Sequence, residues 1–366
     1  MTKRILSLRQ LNRATLIRQM LLKRERLTIP AAIERLVGLQ AQLSQAPFVG
    51  LWTRLHEFKR EDLAHLIEDR IVVKATLMRA TLHLVTSRDY VRFRKTLQPI
   101  MVRACDAIGK QRGKSFDLNV VLKVAREFIA EKPRTFVEIS DHLARLFPGQ
   151  DVGALRYSVR TQLPLVQVPR AGGWSYPNRP EFTLAENWIG RTLSSKDELR
   201  ELVLRYLAAF GPASATDMQT WLGLKLKETF EKLRPELDIY LDEGRRELFD
   251  LPGMVDPQED TVAPPRFLPE FDNLLLSHSN RTRVIAVEHR SSVYLPALRV
   301  AATFLIDGFV KGTWKVENTK NSATLWMSPF GPLTRKDRLM LAEEAEKLVR
   351  FISPESKLFE VRTTEA

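Results

Sequence analysis

The sequence predicts an α+β protein built from several modules, and three observations lead there. Its 366 residues exceed what one small core holds and suit two to four modules. Amphipathic helices followed by a short strand pair, the pattern of a winged helix, occur three times without the strict period of a solenoid. Beyond Pro264-Pro265 helical periodicity gives way to short apolar runs separated by turn residues. The boundaries that follow are 1–115, 116–194 and 195–262 for three winged-helix modules, and 263–366 for a C-terminal β-rich domain with a final helix.

Residues 9–24 place Leu11, Ala14, Ile17, Met20 and Leu21 at helical spacing, with Ser7 as N-cap. Thr28-Ile29-Pro30 opens a second helix, with Thr28 as cap and proline in the first turn. Residues 61–70 read as a short helix, and Ile71–Leu77 and Thr81–Val85 as paired strands. In the second unit, residues 119–146 and 151–162 read as helices, with Thr135 a cap. Val166–Tyr176 reads as a hairpin turning at Gly172-Gly173. In the third, residues 196–210 are helical, Gly211-Pro212-Ala213-Ser214 breaks the chain, and Ser214 caps a helix carrying Met218 and Trp221. Ile239–Leu241 and Glu247–Phe249 make the last wing. The C-terminal runs are Val284–Val287, Ala302–Ile306, Val310–Val316 and Ala323–Met327, with Asp307-Gly308 a hairpin turn; Thr334 caps a helix over 335–352.

The formal net charge is +13, and its distribution is uneven. Residues 1–115 hold 23 Lys and Arg against 9 Asp and Glu, whereas the rest hold 34 against 35. Positive excess confined to one module is the footprint of a polyanion site, and nucleic acid is the expected anion. A membrane-surface helix would need an apolar face with no globular core behind it, which these segments do not offer. No apolar run is long enough to span a bilayer, and no apolar h-region follows the basic N-terminus. One cysteine, Cys105, excludes an intrachain disulfide and a zinc site of several thiolates, and fits a reducing cytoplasm. The six histidines show no i, i+4 pair, no glycine-rich phosphate loop precedes a helix, and no serine elbow occurs. The expectation is a cytoplasmic protein without metal or cofactor.

The most unusual stretch is Leu39-Gln40-Ala41-Gln42, two glutamines flanking one small residue in apolar surroundings. Buried carboxamides are costly unless partnered, so the pair is either a satisfied core pair or a holder of water or a polar ligand. Both readings stay open from the residues alone. In Arg79-Ala80-Thr81-Leu82-His83, alternation puts Arg79, Thr81 and His83 on one strand face, either idle or DNA-facing. The segment Leu268–Arg283 gathers Asp272, Asn273, His278, Arg281 and Arg283 near a turn, suited to groove or phosphate contact. The tryptophans read as packing groups.

Four blocks together resemble the AlkZ-like bacterial DNA glycosylases. They are Gly38–Gln42, Leu77–Val85, Leu268–His278 and Asp307–Trp314, spread over nearly the whole chain. The resemblance implies three tandem winged helices and a β-rich C-terminal domain arranged as a concave DNA-binding surface. It implies excision of alkylated purines and unhooking of interstrand crosslinks in double-stranded DNA. The family's catalytic pair falls on Gln40 and Gln42; a sister branch carries Asp at the second position. A DNA-probing β-hairpin is implied in the C-terminal half, without assigned residues.

The chemistry is coherent. An N7- or N3-alkylated purine is already cationic and departs neutral, so no strong general acid is needed. What remains is to position a water and stabilise an oxocarbenium-like sugar, which amide oxygens can do by hydrogen bonding and partial charge. With no lysine beside the pair in sequence, a monofunctional enzyme leaving an abasic site is expected, and a monomer because a three-module clamp needs no partner, with Arg79, Thr81, His83, Asn273, His278, Arg281 and Arg283 contacting DNA. The alternative is a non-catalytic winged-helix DNA binder, a transcription regulator or lesion-binding protein. Such a regulator would carry its polar residues on a recognition helix, not in an apolar segment of the first module.

Overall fold

The computed structural model describes residues 3–113, 115–254 and 258–364. Helix starts follow the capping chemistry. Ser7 forms a capping box with Gln10 ahead of Leu8–Arg18, Thr28 caps Ile29–Arg35, and Thr135 and Ser214 form boxes with Glu138 and Asp217. The first helix stops at Arg18, short of the expected residue 24, because Met20 takes a left-handed φ of 56°. Thr334 caps the final helix, Arg335–Ile352.

A six-stranded sheet runs in the order Leu39–Gln40, Leu82–Thr86, Val72–Thr76, Leu165–Gln167, Glu181–Leu184, Arg134–Thr135. It joins strands from both sides of residue 115, through the pairing of Ala75 with Val166. The hairpin expected over Val166–Tyr176 is replaced by pairing of Leu165–Gln167 with Glu181–Leu184 across a long loop. Pro169, Pro177 and Pro180 lack the N–H that a ladder needs. Trp174 and Tyr176 pack instead into the core of the first module, where Trp174 meets Phe48 edge-on at 5.3 Å.

The third helical stretch, Leu199–Phe210 and Ala215–Leu222, ends in the hairpin Asp238–Asp242/Glu247–Asp250, to which Ile5–Leu6 adds a parallel strand. The largest apolar core is shared between this stretch and the first: Val73, Ala75, Met78 and Val85 pack with Tyr206, Phe210 and Trp221. A five-stranded sheet follows, ordered Arg266–Leu268, Thr303–Ile306, Phe309–Asn318, Ser322–Pro329, Leu358–Thr363. Asp307 and Gly308, with φ of 47° and 81°, make its two-residue turn. Val284–Val287 forms no strand. Val284 and Ile285 are buried, and the Val284 carbonyl accepts from Val310 N at 2.8 Å.

The charge asymmetry has a structural use. Arg9 and Arg13 pair with Asp307, Arg18 with Asp250, Arg24 with Glu344 and Arg54 with Asp272. Part of the basic excess of the first third is therefore neutralised by carboxylates from the rest of the chain. No helix among the described residues is long and apolar enough to cross a membrane.

Candidate active site

Gln40 ends the short strand Leu39–Gln40, opposite His83 in the ladder. Gly38 makes this approach possible. Its φ is +86°, and a Cβ there would lie 2.7 Å from Val85 Cγ1. Asn273 Nδ2 reaches from the C-terminal part to the carbonyls of Leu36 (3.1 Å) and Gly38 (2.7 Å), fixing the segment that feeds the strand. The ladder continues through Ala41 N to Leu82 O at 2.8 Å. Gln42 then turns outward and is exposed, while Gln40 is 6% exposed.

Both amides are oriented by donors. Arg79 Nη2 donates to Gln40 Oε1 at 2.6 Å, and Leu82 N donates to Gln42 Oε1 at 3.1 Å. Guanidinium and amide N–H groups only donate, so these contacts identify the oxygen end of each carboxamide. Each oxygen keeps a second lone pair, and the Nε2 ends are turned away from these donors.

Arg79 does not lie on a strand, as alternation predicted. It sits in the turn Met78–Ala80 with a left-handed φ of 52°, and its other arm donates to the Trp221 carbonyl. The turn is closed by Thr81 Oγ1 to Met78 O at 3.0 Å. Burial, and secondarily the charge of Arg281, lowers Arg79 to about 10, so it remains cationic at neutral pH. His83 is 1% exposed, its Nδ1 is 3.0 Å from Thr81 O, and burial together with Arg79 pushes it down to about 3. It is a neutral internal support.

The structure thus brings Gln40, Gln42, Arg79, Thr81 and His83 together, with Arg281 near enough to act on Arg79. It encloses the side chains of four residues expected to contact DNA. His83 and Asn273 are enclosed by the bonds just described. His278 is 1% exposed, held by Phe210 O at 3.0 Å and Ser277 Oγ at 2.9 Å. Arg283 is 2% exposed and donates to Pro212 O at 3.0 Å. The last two flank buried Asp217, whose carboxyl burial alone would raise; His278, Arg283 and Arg246 together hold it well below the usual range. Polar residues near a turn gave no sign of which side chains face inward.

Sequence reasoning missed one feature. Tyr294–Leu295 pairs with Arg299–Val300, and the connecting Ala297 and Leu298 both take left-handed φ, 58° and 57°. Leu298 at this tip is 92% exposed. Its signal, an apolar Pro296-Ala297-Leu298 between two short β segments, is weak. Left-handed backbone at two consecutive non-glycine residues is uncommon outside tight hairpin turns.

The profile of the AlkZ-like DNA glycosylases matches residues 33–351. The chain belongs to the AlkZ-like DNA glycosylase family. An interstrand DNA cross-link repair glycosylase from Streptomyces sahachiroi is 25% identical over 362 residues, spanning 91% of this chain and 93% of its own length. The solved structure of the Streptomyces sahachiroi DNA glycosylase AlkZ superposes with a TM-score of 0.79 at 22% identity, covering 98% of this chain and 100% of that one. The two share this mixed helix-and-sheet fold.

Proposed function

We propose that this protein is a monofunctional DNA repair glycosylase that hydrolyses the N-glycosidic bond of cationic, N7-alkylguanine-type purines in duplex DNA and leaves an abasic site. The cross-link repair named for the Streptomyces relative extends the same chemistry: an N7-linked crosslink is unhooked by releasing one of its cationic purines. The observation that carries the reading is the pair of oriented amides. Gln40 and Gln42 sit one residue apart, their oxygens fixed by Arg79 and by Leu82 N, with no carboxylate among their hydrogen-bond partners. Amides are not strong acids that could protonate a neutral base, so the pair suits a leaving group that carries its own charge.

In this reading Gln42, the exposed member, holds the attacking water through the second lone pair of Oε1. Gln40 steadies water or sugar from beneath. Lys74 is the lysine of the six-stranded sheet, and it pairs with Leu84, one register step from Gln40–His83. Alternation puts its side chain on the sheet face opposite Gln40, where its Nζ is held by Ser44 Oγ and the Tyr176 ring.

The three helix-and-hairpin stretches are taken as tandem winged helices, with boundaries near 115, 194 and 262, lining a concave DNA surface with the β-rich domain. Leu298, at the tip of the Tyr294–Val300 hairpin, is the wedge that probes the duplex. No partner subunit is required.

The test is direct incubation with duplexes carrying N7-methylguanine or an N7–N7 crosslink. The reading predicts free modified base and an alkali-labile abasic site, with normal guanine untouched. Tight binding to lesion DNA without base release contradicts it and favours a lesion-binding protein.

A further inference from the structure

Arg79, which bonds Gln40, and Arg281, whose charge reaches it, are two guanidinium groups that form no ion pair among the described residues. Several enclosed arginines that join distant parts of the chain have acids: Arg18 has Asp250, Arg54 has Asp272, and Arg205 has Asp89, whereas Arg94 and Arg283 bond carbonyl, amide and hydroxyl oxygens. Arg79 instead spends its two arms on Gln40 Oε1 and the Trp221 carbonyl. Arg281 stacks on the Tyr294 ring at 4.1 Å, and its buried Nε has no hydrogen-bond partner. The pair is close enough for the charge of Arg281 to disfavour protonation of Arg79, after the larger effect of burial.

Two unneutralised guanidinium charges cost free energy in a partly buried place. They are also wrong for the task, because a cationic purine and a developing sugar cation must be received next to them. One anion delivered with the substrate resolves both difficulties. Duplex DNA brings such an anion at every nucleotide, and guanidinium groups match phosphate oxygens in charge and geometry. Through Tyr294, Arg281 also touches the first strand of the hairpin that carries Leu298.

We propose that Arg281, backed by Arg79, binds one backbone phosphodiester of the damaged strand next to the target nucleotide. The phosphate completes the ion pair that the folded protein lacks and sets the register of the lesion over Gln40 and Gln42. It also cancels the positive field that would otherwise oppose binding of a cationic purine and formation of the sugar cation. The identity of the strand as damaged DNA rests on the glycosylase reading; the phosphate site rests on the arginine pair.

A methylphosphonate scan tests this. Single phosphates within three nucleotides of a 2′-fluoro-N7-methylguanine, which resists hydrolysis, are replaced one at a time by the neutral methylphosphonate. Binding is measured for wild type, Arg281→Gln and Arg281→Lys. One phosphate, or two adjacent ones, should cost wild type about tenfold in affinity, as loss of a charge-assisted hydrogen bond does. The same replacement should cost Arg281→Gln nothing beyond its own loss. Arg281→Lys, which keeps the charge without the fork, should show a reduced penalty at the same position. If Arg281→Gln does not fold, the lysine variant carries the comparison. Equal penalties in all proteins at every position, or no sensitive phosphate in wild type, overturn the proposal. Because the readout is binding, a protein with this signature that never releases base contradicts the glycosylase reading and leaves the phosphate site standing. Base release with additive penalties does the reverse.

Discussion

Arg79 Nη2 donates to Gln40 Oε1 at 2.6 Å, and that bond decides which end of the Gln40 amide is held within the protein. The same guanidinium donates to the Trp221 carbonyl, so the third helical stretch helps to aim a side chain of the first. Arg79→Met should leave the Gln40 amide free to rotate. We expect base release from N7-methylguanine duplexes to fall about 100-fold, the usual scale of a small misplacement at a reacting centre. DNA affinity should fall much less. A single-turnover assay separates the two; an equal loss in both would make Arg79 a binding group only.

Arg54 and Asp272 form a bidentate pair at 2.8 and 2.7 Å with side chains 0% and 1% exposed. Asp272→Ala strands a buried guanidinium and should cost about 3–5 kcal/mol in urea unfolding. The double replacement Arg54→Met/Asp272→Leu should recover much of that loss. A double variant as unstable as the single one would show that the fold depends on the charges themselves.

His83 and His278 are both held near about 3 by burial, against an ordinary value of 6.5. Folded pKa values depressed in this way contribute stability that is complete above pH 6.5 and drains away as pH falls toward 3. Each histidine contributes at most about 1.4 kcal/mol per pH unit over that window. Urea midpoints should therefore drop steeply from pH 6.5 to 4.5. His278→Gln should make that drop shallower, whatever its effect at pH 7.5, and an unchanged slope would contradict the assignment.

Lys74 is 4% exposed, with Ser44 Oγ at 3.3 Å and the Tyr176 ring at 4.9 Å, and burial lowers it to about 8. Below pH 8 the folded protein holds a buried ammonium without a carboxylate. Lys74→Met should raise stability at pH 6.5 by about 1–3 kcal/mol. The gain should shrink as pH rises from 8 toward 10.5, where the native amine is neutral in both states. Thermal melts at pH 6.5 and 9.5 read this directly.

Much of the fold is legible in the sequence because its signals are local. Ser7, Thr28, Thr135, Ser214 and Thr334 cap the helices they were expected to cap, and Asp307-Gly308 turns the hairpin it should. Non-local pairing was less legible. Nothing near Leu165 says that its partner is Leu184, nor that Trp174 and Tyr176 fill the first module's core. At the site, Gln40 and Gln42 stood out as polar residues in apolar company, but their donors come from tertiary contacts. Alternation placed Arg79, Thr81 and His83 together without showing that Arg79 lies in a turn and that His83 is sealed. Composition showed that the first third is basic; it did not show that Asp250, Asp272, Asp307 and Glu344 take up part of that charge.

The central claim is that Gln40 and Gln42 carry out hydrolysis on a base that brings its own charge. Single-turnover release of N7-methylguanine by wild type, Gln40→Ala and Gln42→Ala, at protein concentrations that saturate the DNA, tests it most directly. Wild type should release the base, and each variant should do so at least about 100-fold more slowly while binding the duplex comparably. Release by both variants at the wild-type rate would remove the amide pair from the mechanism.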